Sequence, residues 1–294
     1  SRGLGDVYKR QFPFQISHKS KIVSIGSCFA DMIGNRLQSY KFEVCANPFG
    51  NIYNPISLHN ILDTNANEES HYIENQGVWL NYNFHSEIAA FSKESLTSVI
   101  DEKKNNLAAF LNEADVLVLT YGTAWIYQLV SDKQIVANCH KQPTNLFIKK
   151  LLTVEEIEKS FSDLISNLPL GKNIILTVSP VRHIKDTLAL NTVSKSILRL
   201  ATHKLASTYE NVHYFPAFEL LMDDLRDYRF YKKDLIHPNE IAEDYIWNKF
   251  SEVVMNVETL QWLKILDEIN MAVNHKPFQA KSEQHQQFLR TQIK

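Results

Sequence analysis

An apolar run that stops at Gly-Ser and turns at once into a helix constrains this chain more than any other feature. Lys21-Ile22-Val23-Ser24-Ile25 reads as a short buried strand, and Gly26 permits a sharp turn. Phe29, Met32, Ile33 and Leu37 then recur at helical spacing. Asp31 falls in the first turn, where the helix dipole favours a negative charge. Two later runs, Val116–Leu119, which is continuously apolar, and Asn173–Val178, apolar but for Asn173 and Thr177, read as strands buried on both faces of a parallel sheet. Helical periodicity separates these strands. The pattern predicts an α/β fold, a three-layer α/β/α sandwich around a central parallel sheet. Val78–His85 alternates large apolar with polar residues, outside that sheet. Trp125–Leu129 and Gln134–Ala137 flank a polar turn, so inserted hairpins are expected. Phe12, Phe14 and Ile16 alternate and are expected along the sheet edge; Ser57 is expected to cap a short helix, and Thr153 with Glu156 to form a capping box.

The polar residues that follow the strands are the candidate site. Ser27 falls at the carboxyl end of a strand and at a helix N-terminus, where free N–H groups stabilise an anion. Two readings stand: a helix N-cap, or a nucleophile that attacks an ester carbonyl with its own N–H steadying the oxyanion. Asp234-Leu235-Ile236-His237-Pro238, some two hundred residues on, puts Asp and His three apart before a helix. Such a pair can orient an imidazole as general base; alone, it is also a common way to open a helix. Ser179-Pro180-Val181-Arg182-His183 ends another strand, and Arg182 and His183 are expected to shape a pocket or bind a polar substrate group. His85, among aromatics, reads either as lining a sugar or acyl pocket or as surface of a packed insertion. His140 follows Cys139 and is a candidate for the pocket wall. Ligands of open α/β sheets bind at the carboxyl ends of the strands, so these readings point to one site.

Composition bounds the partners. The chain has 294 residues, 44% hydrophobic and 22% charged, with a net charge of −2. That balance gives no reason to expect nucleic acid or an acidic membrane as partner. No apolar run approaches the ~20 residues of a membrane helix. Cys28, Cys45 and Cys139 have neither metal spacing nor an even disulfide framework, which fits a cytoplasmic, reducing compartment, with Cys28 and Cys139 as buried small hydrophobes. Residues 1–11 read as translated sequencing-adapter DNA and are set aside. Residues 12–278 read as one domain, and 279–294 as a polar tail.

Gly26-Ser27-Cys28-Phe29-Ala30, Asn47-Pro48-Phe49-Gly50, Thr120-Tyr121-Gly122-Thr123-Ala124-Trp125, Val178–His183 and Asp234–His237 occur in that order. Together they resemble the GSCFA domain family, which is similar to the SGNH (GDSL-like) hydrolases. The resemblance runs from about residue 12 to about 278. It implies an SGNH-hydrolase-like, flavodoxin-like sheet and a serine ester hydrolase. Ser27 would be the nucleophile, His237 the base and Asp234 its orienting partner. The oxyanion hole would draw on Ser27, Gly50, Gly122 and Thr123. An asparagine expected after Gly122-Thr123 is replaced by Ala124. A lost side-chain donor costs about 3–4 kcal/mol of transition-state stabilisation if nothing replaces it. No metal or organic cofactor is implied. The substrate would be a small-molecule or carbohydrate O-acyl ester. The alternatives are an O-acyltransferase with the same triad, or a non-catalytic carbohydrate-binding module.

Overall fold

A computed structural model gives the fold and describes residues 12–63 and 71–274, together with positions 283 and 287. The segment set aside at the N-terminus, and all but those two positions of the expected polar tail, lie outside the described residues. The chain divides into two compact units. The larger is Ser20–Phe250; the other joins the chain up to Lys19 with the chain from Ser251 onward.

In the larger unit β1 (Lys21–Gly26), α1 (Cys28–Ser39) and β2 (Glu43–Ala46) are followed by α2 (Pro55–Leu62) and a hairpin, β3 (Tyr72–Asn75) and β4 (Val78–Asn81). Next come α3 (Lys93–Glu113) and β5 (Val116–Tyr121). A three-stranded antiparallel insertion, β6 (Trp125–Leu129), β7 (Ile135–Val136) and β8 (Phe147–Leu151), leads to α4 (Val154–Asn167). The unit continues with β9 (Asn173–Val178), α5 (Thr187–Thr208), β10 (Val212–Phe215) and a short α6 (Ala217–Glu219) that runs into a π-helical turn. Helix α7 (Glu240–Val254) begins in this unit, and α8 (Val257–Asn274) belongs to the other.

The central sheet is five-stranded and entirely parallel, in the order β2-β1-β5-β9-β10. Counted within the sheet alone this is 2-1-3-4-5, the flavodoxin-like order, whose switch point lies between β1 and β5. Val23, Leu117, Leu119 and Leu176 face one layer, with Ile157 and Phe161 of α4 and Leu198 of α5 in the same core. Strand alternation sends Ser24 and Ala46 to the other face, where α1 lies against them. The result is the three-layer α/β/α sandwich. Both insertions lie outside the central sheet, as the alternating patterns indicate.

Local sequence explains most boundaries. Thr153 and Glu156 form a reciprocal capping box on α4. Helix α2 begins earlier than Ser57: Pro55 takes the first turn, and Asn54 is the cap, accepting from the Ser57 N–H. Strands β3 and β8 carry too little alternation to stand out; they form because β4 and β6 offer open edges. The alternating N-terminal segment is not a strand of the central sheet. Ile16 is fully buried and bridges Met255, donating to Val254 and accepting from Asn256.

Gly34 tests the fit of α1 on the sheet. A Cβ there would stand 2.6 Å from the Ala46 Cβ, closer than packed carbons come. Alanine would gain about 1 kcal/mol of helix propensity but force an overpacking cost of about 1–3 kcal/mol. Gly34→Ala is therefore expected to lower the urea midpoint; a raised midpoint would show that α1 does not approach β2 this closely.

Candidate functional site

The site is built at the carboxyl ends of β1, β5 and β9. Gly26, at φ +145°, closes β1, and its N–H donates to Asn47 Oδ1 at 2.8 Å. Asn47 Nδ2 reaches Asp31 in the first turn of α1 at 2.5 Å and Asn51 at 3.0 Å. One side chain thus ties the end of β1, the start of α1 and the loop after β2. Ser27 then takes the N-cap position of α1, yet its side chain makes no capping bond. Ser27 is fully buried, and its Oγ has no hydrogen-bond partner among the described residues. A cap would have satisfied that hydroxyl; this one is left over.

Gly122 follows β5 and faces Ser27. The position a Gly122 Cβ would occupy is 3.2 Å from the Ser27 Cβ and 3.3 Å from His183 Nε2. His183 Nε2 is also buried without a partner among the described residues. Its main-chain N–H is fixed by Asn191 Oδ1 at 2.9 Å, and its ring meets Tyr53 edge-on. Burial, with the nearby Lys195, His237 and Lys185, holds the His183 imidazole down to a pKa of about 3. Burial, with the field of Cys28, Asp31 and Glu87, pushes the Tyr53 phenol up to about 12.

The Asp–His turn forms a tight loop. Asp234 Oδ2 and His237 Nδ1 are 2.7 Å apart, and Asp234 Oδ1 accepts from the N–H groups of Ile236 and His237. Those bonds, the Ile236 N–H first, hold the carboxyl down at about 2. His237 therefore precedes α7 and is oriented by Asp234. Leu235 adopts a left-handed φ of 58° to close the turn. Arg182 carries this loop: its N–H donates to the Ile236 carbonyl and its guanidinium to Leu235, while it stacks on Tyr231 at 4.1 Å. The Asp234–His237 loop thus rests on the same segment that carries His183.

The backbone donors of the expected oxyanion hole are engaged. The Ser27 N–H donates to Thr120, the Gly50 N–H to Asn47, and those of Gly122 and Thr123 both to Tyr53. Thr123 Oγ1 sits 3.0 Å from Ser194 Oγ and accepts from Trp125. His85 packs directly on Gly50, where its Cβ would stand 2.5 Å from an added Cβ. His140 is buried on the insertion; Nε2 reaches the Asn81 carbonyl at 2.7 Å and Nδ1 the Ser86 hydroxyl at 3.3 Å, so both ring nitrogens are taken.

Helix α5 supplies what the strand-end motifs do not show. Asn191 holds His183, Ser194 accepts from Ala124, and Lys195 Nζ bonds the carbonyls of Gly122 and Ser179 at 2.7 Å each. Lys195 is fully buried, and that burial pulls its ammonium down to a pKa of about 7. Extending the buried stripe Leu198, Ala201, Leu205 back by one and two turns lands on these polar residues, which is the signal that marks them. Asn47 stands within a recognised motif, but nothing in the spacing shows what it holds. Among the described residues no group of three or more His, Cys, Asp or Glu could hold a metal ion, and no helix is long and apolar enough to cross a membrane.

Lys195 makes stability depend on pH. Its folded pKa lies below the unfolded value of 10.5, so between about 7 and 10.5 the unfolded chain binds more protons and stability rises with pH. Lys195→Met lacks that gain. The stability gap between wild type and variant, from urea melts at pH 6.5, 8 and 9.5, is expected to widen; a constant gap would mean that the lysine stays charged.

The family model described as the GSCFA family matches residues 21–250, and that for the GSCFA domain protein, C-terminal domain, matches 266–294. No curated protein matches the sequence.

Proposed function

The chain belongs to the GSCFA family, and from that premise and the strand-end geometry we propose a serine ester hydrolase similar to SGNH enzymes. The observation that carries the reading is Ser27: it stands at a helix N-cap without capping, its Oγ unpaired, at the switch point of the sheet. Ser27 Oγ attacks an ester carbonyl. His237 takes the hydroxyl proton on Nε2 and returns it to the leaving alcohol, and water resolves the acyl-enzyme by the same route. Asp234, on Nδ1, fixes the tautomer and stabilises the imidazolium. Its depressed pKa keeps it ionised through the mildly acidic range. In the structure Ser27 is buried, so substrate entry requires the groups that cover it to move. The proposed substrate is an O-acyl ester, by family analogy an acylated sugar; three unpaired cysteines suit a reducing compartment such as the cytoplasm. An acyltransferase would differ only in the hydroxyl that resolves the intermediate.

One observation favours a second reading, a carbohydrate-binding module without turnover. The backbone N–H groups of Ser27 and Gly50, expected to hold an oxyanion, and those of Gly122 and Thr123 donate to main-chain carbonyls, and the Thr123 hydroxyl, expected as a replacement donor, lies 3.0 Å from the Ser194 hydroxyl. Active-site titration with a serine-reactive phosphonate separates the two. One equivalent of label on Ser27, lost in Ser27→Ala, is expected. His237→Ala should retain the fold by thermal melt and lose ~10³-fold or more in turnover of an activated ester. An unlabelled Ser27 in well-folded protein would leave the binding module as the better reading.

A further inference from the structure

The replacement of the expected asparagine by Ala124 leaves a question of charge: with the backbone donors engaged, a developing oxyanion beside Ser27 needs another partner. Two side chains with a buried atom unpaired among the described residues, Ser27 (Oγ) and His183 (Nε2), both come close to Gly122: a Cβ there would stand 3.2 Å from the Ser27 Cβ and 3.3 Å from His183 Nε2. A side chain on residue 122 would crowd both. A buried ring nitrogen without a partner costs stability, by about 1–3 kcal/mol. Such a group calls for an explanation, and a ligand that completes it is one.

We infer that His183 is a catalytic residue: as a neutral imidazole with its proton on Nε2, it donates the hydrogen bond that holds the ester oxyanion beside Gly122. This inference rests on the serine-hydrolase reading and names the donor that the reading lacks. The neutral ring does not move a proton. The Ser27 proton goes to His237 and on to the leaving alcohol, while the His183 N–H bond shortens as negative charge builds on the carbonyl oxygen and relaxes when the carbonyl reforms. A neutral imidazole suits the role, because it donates without competing as an acid. Its surroundings keep it neutral: Lys195, Lys185 and His237 lie near it, the Tyr53 ring packs against it, and among the described residues no carboxylate pairs with it as Asp234 does with His237. Asn191 fixes its main chain and the Tyr53 ring meets its imidazole edge-on, which limits where the ring can go. His237 differs in each respect. It is half exposed and paired with a carboxylate, as a base should be.

The test uses the full chain, the phosphonate and a p-nitrophenyl ester, with folding checked by melts. His183→Phe keeps a planar ring without a donor; His183→Asn restores an N–H on a shorter arm. If His183 is the donor, His183→Phe lowers kcat by ~10²–10³-fold with KM nearly unchanged, as loss of one oxyanion donor does. The acid limb of its pH profile is retained, phosphonylation of Ser27 slows in parallel, and His183→Asn recovers part of kcat. A raised KM with kcat unchanged would make His183 a pocket wall and overturn the inference. Loss of the acid limb in His183→Phe would make it the base and overturn it equally. If wild type neither turns over ester nor labels at Ser27, the hydrolase reading itself fails, and this inference with it.

Discussion

A Cβ on Gly26 would stand 2.2 Å from the Thr120 carbonyl oxygen, so β1 can end against β5 only as glycine. That approach, at φ +145°, brings the Ser27 N–H onto the Thr120 carbonyl at 3.1 Å and aims the chain into α1. The switch point of the sheet falls at this contact. Gly122, two residues past Thr120, then lies against Ser27, and the loop after β9 brings His183 to the same place. A larger residue at position 26 would separate the strand ends and with them every group gathered there.

The strand ends do not hold themselves. Their carbonyls and N–H groups point into a buried space where unpaired polar groups are costly. Lys195 answers two of those carbonyls from beneath, Ser194 answers Ala124, and Tyr53 accepts from Gly122 and Thr123. Arg182 ties the Asp234–His237 loop to the β9 end through two main-chain carbonyls and a stack on Tyr231. The candidate site is a layer of backbone groups, pinned by side chains of α5 and, from the loops, by the Tyr53 main-chain carbonyl and the Arg182 side chain. Among the described residues, Ser27 Oγ and His183 Nε2 are two of the buried side-chain atoms left without a partner.

Much of this was legible in the residues. The continuous apolar runs at β1, β5 and β9 identified a parallel sheet, because a strand buried on both faces needs no polar alternation. The turn residues after them marked the site, because parallel strands end on one edge. The Asp234–His237 pairing was readable from a three-residue spacing. Asn47, Tyr53 and Lys195 were not. Their roles depend on carbonyls and N–H groups of segments far away in sequence, and no local pattern records which distant group a side chain will meet.

The sequence by itself determined the layered α/β fold, the strand-end position of Ser27, Gly122 and His183, and the Asp–His turn. Each is a local matter of periodicity, turn chemistry or short spacing. Tertiary structure decided which of those polar groups are satisfied. It turned the backbone N–H groups of Ser27, Gly50, Gly122 and Thr123 onto main-chain carbonyls and, among the described residues, left Ser27 Oγ and His183 Nε2 without a partner near one glycine. Hydrogen-bond satisfaction is settled by distances of tenths of an ångström between elements, which only the packed chain fixes.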